Sequence, residues 1–412
     1  MKDLIENTAD TLQIDKKNWT KVKFGAVAIQ QKISVDRDKT DLTFYVKGEH
    51  MGSQDLHLRE WGELTDEYLG PAFIRYFEKD DILYGSRRTY LRKVVIAPFE
   101  GITSNTTLVI KANEKIIDKR LLPFVMMSEG FTDHSIKNSK GSVNPYINWK
   151  DLANYEFLIP PKAEQERLAE LLWAMDEVIE REKRVLERLN NAYFILINQK
   201  MIHGNFKNDS NLVLTKCGLL DSRIKPVLLR DCLIEKPTYG ANASSKEYLN
   251  DTPRYIRITD IDDEGNLIKD DIVSIDTDDY KNYILLDNDF LFARTGNTVG
   301  KTLLYDSKMG QAVYAGYLIR FRLDQKKLLP KFLFYFTKSL KYESFKRKMT
   351  KVGAQPNINS EEYQSMILPG LPIEIQENIV EKLNSMKSRN DLIKSKIISS
   401  QALQKSLINQ IF

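Results

Sequence analysis

Four polar loops hold the side chains whose types and spacing could do chemistry in this chain. Tyr84-Gly85-Ser86-Arg87-Arg88-Thr89-Tyr90 has a counterpart in Phe292-Ala293-Arg294-Thr295-Gly296-Asn297, and Gly141-Ser142-Val143-Asn144 has one in Gly353-Ala354-Gln355-Pro356-Asn357. Arginine, glutamine and asparagine make paired hydrogen bonds to guanine or adenine edges in a major groove. Hydroxyls and backbone amides suit phosphate oxygens. Each loop taken alone is an ordinary polar turn; the recurrence of both in both halves of the chain is what points to recognition.

Catalysis finds less support. His50, His57, His134 and His203 are scattered, without metal-ligand spacing or an evident nucleophile beside them. Cys217 and Cys232 form no CxxC, so neither a disulfide framework nor a zinc site is suggested. Gly296-Asn297-Thr298-Val299-Gly300-Lys301-Thr302 resembles a P-loop, but three residues separate its glycines where the phosphate cradle needs four. Asn144-Pro145-Tyr146 opens like the tetrapeptide of amino-methyltransferases, lacks its second proline, and follows no glycine-rich cofactor loop. No catalytic constellation emerges, and that points to binding.

The loops sit inside a duplication. Ile147-Asn148 recurs as Ile358-Asn359, Gln165-Glu166 as Gln376-Glu377, and Leu196-Ile197-Asn198-Gln199 as Leu407-Ile408-Asn409-Gln410, each pair 211 residues apart. Upstream the offset slips, to 207 between Leu121-Leu122-Pro123 and Leu328-Leu329-Pro330, and to 208 between Asp81-Ile82-Leu83 and Asp289-Phe290-Leu291. Slippage belongs in loops, and a unit this long is a duplicated domain, since solenoid repeats run to about 20 to 50 residues. The expected order is a variable domain at 1–160, a constant helix at 161–203, a linker at 204–224, a second variable domain at 225–370 and a second constant helix at 371–412.

In each constant segment apolar residues recur at alternating spacings of four and three. One stripe is Leu168, Leu172, Met175, Ile179, Leu186, Leu189, Tyr193 and Leu196, broken by Glu182; the other is Ile379, Leu383, Met386, Asn390, Ile393, Ile397, Ser400, Gln404 and Leu407. About five heptads predict a coiled coil, with helices about 60 Å long at about 1.5 Å per residue. Two imperfect seams in one chain satisfy each other most simply by pairing antiparallel. That pairing puts Leu168 near Leu407 and the Glu182 region near Ile393 and Asn390, and polar residues meeting mid-seam fix the register at some cost in stability.

The variable domains read as mixed α and β. Val94-Val95-Ile96-Ala97, Thr107-Leu108-Val109-Ile110, Tyr255-Ile256-Arg257-Ile258, Phe290-Leu291-Phe292 and Tyr317-Leu318-Ile319-Arg320-Phe321 are strand candidates. Pro123 and Pro330 stand at helix starts, and Phe332, Phe334, Tyr335 and Phe336 form a core face. The fold class is therefore α+β: two mixed α/β domains separated by two long helices that pair as an antiparallel coiled coil.

At 412 residues, with 42% hydrophobic and 29% charged, the composition is that of an ordinary globular protein. The first ten residues hold no apolar run of signal-peptide length, and no stretch approaches the roughly 20 apolar residues of a membrane helix, so a cytoplasmic location is expected. Net charge is only +4. Its distribution says more, because 260–289 is crowded with carboxylates while Arg320, Arg322, Lys326, Lys327, Lys331, Lys338, Lys341, Lys346, Arg347, Lys348 and Lys351 form a basic tract.

With this order in place, the chain resembles the specificity subunit of type I restriction-modification enzymes over nearly its whole length. The residues that carry the resemblance are Trp19-Thr20-Lys21-Val22-Lys23-Phe24-Gly25, the Tyr84 to Tyr90 loop, and Ile159-Pro160-Pro161 through Glu164-Gln165-Glu166-Arg167-Leu168. In the second half they are Thr295-Gly296-Asn297-Thr298-Val299-Gly300-Lys301, Gly353 to Asn359, and Leu371-Pro372-Ile373-Glu374-Ile375-Gln376-Glu377.

The resemblance implies two target recognition domains, each reading half of a split double-stranded DNA site, with the paired helices as spacer. It implies two modification subunits docked on the helices and restriction subunits that translocate and cleave. S-adenosylmethionine, ATP and magnesium would belong to those partners, with no cofactor on this chain and no membrane. Arg87, Arg88, Arg294, Asn297 and Gln355 are the candidates for base or near-base contacts, Tyr90 and Ser142 join them at the DNA, and Lys301, Lys348 and Lys351 are the candidates for phosphate. Helices of about 60 Å cap half-site separation at about 18 base pairs; centres about one helical turn apart are expected. A stand-alone modification enzyme or nucleotidase, and a protein-binding scaffold, are the alternatives from other classes.

Overall fold

The heptad stripes become two helices, Lys162–His203 and Ile373–Ile411, of 42 and 39 residues. The structure, a computed structural model, describes residues 14–65, 68–206, 211–249, 252–277, 279–350 and 356–412. The chain divides into two units, one of residues up to Arg184 together with Lys394–Phe412, the other of Val185–Ile393. Each unit therefore contains one domain, part of the first long helix and part of the second.

Unit one carries two four-stranded sheets. In the first, Ala28–Gln31, Thr107–Ala112, Ile82–Gly85 and Val94–Ile96 lie side by side, all antiparallel. In the second the order is Gly62–Glu63, Phe44–Val46, Gly101–Ser104 and Phe73–Phe77, with Phe44–Val46 parallel to Gly101–Ser104. The helices Leu122–Met127 and Glu129–Lys137 cover the first sheet, and Phe24, Ile110, Phe124 and Phe131 are buried between these layers. Thr20–Lys23 pairs with Glu156–Ile159 and closes the domain directly before the first long helix.

Unit two repeats this plan. Thr238–Tyr239, Leu318–Phe321, Phe290–Ala293 and Thr302–Leu304 form one antiparallel sheet. Ser245–Glu247, Val273–Ile275, Arg254–Ile256 and Ala312–Tyr314 form the other, with its own parallel pair at Arg254–Ile256 and Ala312–Tyr314. The expected strands are all present, and Tyr255-Ile256-Arg257-Ile258 is cut short because Ile258–Asp260 turns into 3₁₀ helix capped by the Arg257–Asp260 pair. Pro330 opens the helix Pro330–Phe336, while Pro123 occupies the first turn of Leu122–Met127. Phe332, Phe334, Tyr335 and Phe336 are buried, as the core reading expected. The stretch 204–224, expected to be a linker, contains the hairpin Leu212–Thr215 and Gly218–Asp221.

Within each unit the two long helices pack together and run antiparallel. In unit one Leu172 and Ile179 of the first helix and Ile397 and Leu407 of the second are buried, and Gln404 donates to the Leu172 carbonyl at 3.3 Å. In unit two Ile379 and Leu383 of the second helix share a core with Ile197 and Met201 of the first. Every position of the two stripes is at least half-buried.

The mid-seam register differs from expectation. The heptad spacing places the Glu182 region against Ile393 and Asn390. Glu182 instead accepts from Ser400 Oγ at 3.1 Å, with Lys396 Nζ also at 3.1 Å, and Asn390 donates to Asn190 Oδ1 at 2.9 Å. Polar residues still meet polar residues. Heptad pattern alone leaves shifts of about one repeat close in energy, and it is these hydrogen bonds that choose among them.

The repeated residues prove to be clamps. Gln165, buried in the first turn of its helix, donates from Nε2 to the carbonyls of Pro160 (2.9 Å) and Ile116 (3.1 Å) and accepts from the Asp118 amide (2.7 Å). Gln376 makes the same three bonds 211 residues on, to Leu371 (2.8 Å), Lys327 (2.9 Å) and Leu329 (2.9 Å). At the far ends Asn409 Oδ1 accepts from the Glu129 amide in unit one, and Asn198 Oδ1 from the Leu340 amide in unit two, both at 2.8 Å. Each domain is thus held by the start of one long helix and the end of the other.

Removing either glutamine leaves buried backbone groups unpaired. Gln165→Ala and Gln376→Ala should each lower stability by about 1–3 kcal/mol, whereas Glu166→Ala on the exposed face should stay within about 0.5 kcal/mol. Chemical denaturation measures both.

Candidate nucleic-acid interface

In unit one the strand Ile82–Gly85 delivers the loop that follows it to the surface, where it meets the second polar loop. The Arg88 amide donates to the Pro145 carbonyl at 2.6 Å and the Ile147 amide to the Ser86 carbonyl at 2.9 Å, with Arg87 bridged to Tyr146 between them. Thr89 and Ser139 hydroxyls lie 3.0 Å apart. Arg88 adopts a left-handed backbone, φ 51°, a conformation costing about 1–3 kcal/mol that the flanking bonds must hold. Arg87, Arg88, Tyr90 and Ser142 are all exposed, and neither arginine has a carboxylate partner among the described residues.

Unit two builds the same junction. The Gly296 amide donates to the Pro356 carbonyl at 2.9 Å and the Ile358 amide to the Arg294 carbonyl at 2.8 Å, with Thr295 bridged to Asn357. The loops that recurred in sequence are therefore joined bond for bond in space, and in both units they end a central strand of the all-antiparallel sheet. Tyr363 Oη fixes the strand end by donating to the Ala293 carbonyl at 2.7 Å, and Tyr342 Oη donates to the Gly300 carbonyl at 2.8 Å.

A family model for the type I restriction modification DNA specificity domain matches residues 16–191 and again 230–400. The chain belongs to that family.

Among curated relatives, this specificity-domain chain is 30% identical over 179 residues to the type I restriction enzyme EcoDI specificity subunit of Escherichia coli, a match spanning 42% of this chain and 39% of the relative. It is 25% identical over 321 residues to the MjaVIII specificity subunit of Methanocaldococcus jannaschii, covering 74% and 72% of the two chains. In fold it is similar to a chain from a structural study of complex assembly and conformational transition of the type I R-M system, with TM-score 0.60, 18% identity and 96% of each chain covered. The type I restriction-modification S subunit from M. genitalium gives TM-score 0.57 at 12% identity, over 97% and 98% of the two chains.

The specificity-domain frame places the remaining candidates unevenly. Asn297 is exposed in the short helix Gly296–Thr298. Lys301 is engaged inside its domain, with Nζ 3.0 Å from Asp263 and 3.1 Å from the Ile261 carbonyl. Its P-loop-like segment leads into the strand Thr302–Leu304, where a phosphate-binding loop would lead into a helix. Lys348 is exposed near the end of the helix Leu340–Met349. Lys351 and Gln355 lie outside the described residues.

Much of the basic tract proves internal. Arg320 and Arg322 pair with Glu235, Arg322 also with Asp289, and Lys346 with Glu343. Lys326, Arg347 and Lys348 are the exposed members without a carboxylate partner among the described residues. Sequence reasoning missed Tyr239 and Asn357, which touch Arg294. Asn357 was reachable through the repeat, but Tyr239 reaches Arg294 only because its strand pairs with Leu318–Phe321.

The structure also gathers a charged latch that the scattered histidines did not announce. His57 Nε2 lies 2.8 Å from Asp176 on the first long helix, Arg59 pairs with Asp55 and Glu180 at 2.8 Å each, and Lys183 lies 2.9 Å from Glu180. Ligand atoms of Asp55, His57 and Glu180 lie within 4.8 Å of one another, but Arg59 and Lys183 already neutralise the carboxylates and their charge opposes a metal ion. The Gln54 amide donates to the Arg92 carbonyl at 3.1 Å, so the latch loop is also tied to the end of the Tyr84–Tyr90 loop.

The bond to Asp176 raises the His57 pKa above its ordinary 6.5, opposed by burial and helped by the charges of Asp176, Glu180 and Asp55. Burial pushes the Glu180 carboxyl up, but hydrogen bonds from Arg59 and Lys183 outweigh it and bring it down from 4.5 to about 2. A raised histidine contributes fully below its unfolded pKa and loses that contribution as pH rises through the folded one; a depressed carboxylate contributes above its unfolded pKa and loses it as pH falls. The latch should hold best between about pH 4.5 and 6.5. An NMR titration should find His57 above 6.5 in the native chain and back towards that value in Asp176→Asn.

Proposed function

We propose that this chain is the DNA sequence-specificity subunit of a type I restriction-modification enzyme, each unit reading one half of a bipartite target. The observation that carries this is the double match to the specificity-domain family, with the same two-loop junction built in both matched segments. Exposed arginine, asparagine and hydroxyl groups on that junction have the donors and acceptors that base edges and phosphates require. Arg87, Arg88, Arg294, Asn297 and Gln355 are assigned to base or near-base contacts, and Tyr90 and Ser142 to DNA contact beside them. Lys348 and Lys351 are assigned to phosphate, and Lys301 joins them only by leaving Asp263.

The paired helices set half-site spacing and dock two modification subunits. Leu171 and Val178 in unit one, and Phe194 and Ile195 in unit two, are exposed apolar side chains on the first long helix and suit such docking. The chain itself carries recognition and no reaction; S-adenosylmethionine, ATP and magnesium reside on the modification and restriction subunits, in the cytoplasm. No helix among the described residues is long and apolar enough to cross a membrane.

Sequencing adenine methylation in cells with and without the chain tests the assignment. The expected result is an interrupted motif present only with the chain, and unchanged methylation sinks it. Arg87→Ala combined with Arg88→Ala should alter one half of that motif and leave the other. Lys348→Ala should leave the motif intact and reduce the dependence of log K on log salt by about 0.9 in a gel-shift series. A shift that is absent or insensitive to salt with modification subunits present would favour a protein scaffold.

A further inference from the structure

We propose that unit two reads a guanine through Arg294, with Tyr239 and Asn357 as the residues that position it; this rests on the DNA-reading function above. Arg294 is fixed at its backbone from both sides. Its amide donates to the Tyr317 carbonyl at 3.0 Å, and its carbonyl accepts from Ile358 at 2.8 Å.

The side chain is fixed as well. The guanidinium carbon lies 4.9 Å from the centroid of the Tyr239 ring, and Nε donates to Asn357 Oδ1 at 3.4 Å. Tyr239 is itself anchored, by its pairing with Ile319 and by its hydroxyl, which accepts from the Ser360 amide at 3.1 Å.

Four other arginines of this unit are committed to carboxylates. Arg223 pairs with Asp221, Arg257 with Asp260 and Asp271, Arg320 with Glu235, and Arg322 with Asp289. Arg294 has no carboxylate partner among the described residues. Its Nε is used and its face is stacked, so the two terminal amino groups remain as a planar pair of donors. Guanine presents O6 and N7 as two acceptors at the matching spacing, whereas adenine puts an amino donor beside N7 and repels one arm of the fork. Stacking on an aromatic ring leaves a guanidinium its full donor set while restricting its rotamers, which lowers the entropic cost of the contact.

Unit one holds Ser86 at the equivalent place, bonded in the same way to Thr106 and Ile147. An arginine at this position therefore belongs to one half-site only. The other half-site is an internal control for folding.

The test uses the full chain with its modification subunits and duplexes bearing the methylated motif. Each guanine of the unit-two half-site is replaced in turn by 7-deazaguanine, which lacks the N7 acceptor. At one position the native chain should lose about ten-fold in affinity, and Arg294→Ala should lose affinity on the natural duplex but show no further loss on the substituted one. Tyr239→Phe keeps the ring face and should retain the guanine preference, while Tyr239→Leu and Arg294→Lys should weaken it and leave the unit-one half-site unchanged. Insensitivity of the native chain to every substitution overturns the inference while leaving the DNA-reading function in place. An Arg294→Ala loss that is equal on all sequences makes the contact a phosphate contact and overturns it too. No sequence-specific shift with any duplex overturns both.

Discussion

The arrangement depends on a buried glutamine amide used twice. Gln165 and Gln376 each spend both amide protons and the carbonyl on three main-chain groups of the domain beside them. A side-chain amide that satisfies its own capacity and two carbonyls at once fixes position and angle together. The asparagines at the opposite helix ends, Asn409 and Asn198, complete the hold. Because one domain takes its glutamine from one helix and its asparagine from the other, the two helices can only run in opposite directions. Directionality here comes from the domain grips as much as from the seam.

The seam itself is a compromise between stability and register. Leu172, Ile179, Ile379 and Leu383 supply the apolar burial, which falls off only slowly with a one-heptad slip. Glu182 with Ser400 and Lys396, and Asn190 with Asn390, would each lose partners under such a slip. A buried carboxylate or amide without a partner costs several times what a surface one does. The polar interruptions therefore act as register marks.

Much of this was legible in the chain because its origin by duplication marks what matters. Residues kept at a constant offset of 211 turned out to be the clamps and the junction: Gln165 and Gln376, Asn198 and Asn409, Ile147 and Ile358. The heptad stripes gave the helices, and Pro330 marked a helix start. What escaped has physical causes. Register escaped because period does not encode phase between two helices. Widened burial at Ala169, Ile197 and Ile408, one residue off the stripes, escaped because the helix ends face a domain as well as each other. Arg320 and Arg322 looked like part of a cationic surface, yet Glu235 and Asp289 neutralise them from far along the chain. Tyr239 escaped because only strand pairing brings it to Arg294.

The glutamine and asparagine grips on the domains address main-chain atoms: the carbonyls of Ile116, Pro160, Lys327 and Leu371, and the amides of Asp118, Glu129, Leu329 and Leu340. Peptide groups are common to all residue types, so the side chains at these positions can change without loosening these grips. The outer loops can thus change in side chain without disturbing any of these eight bonds.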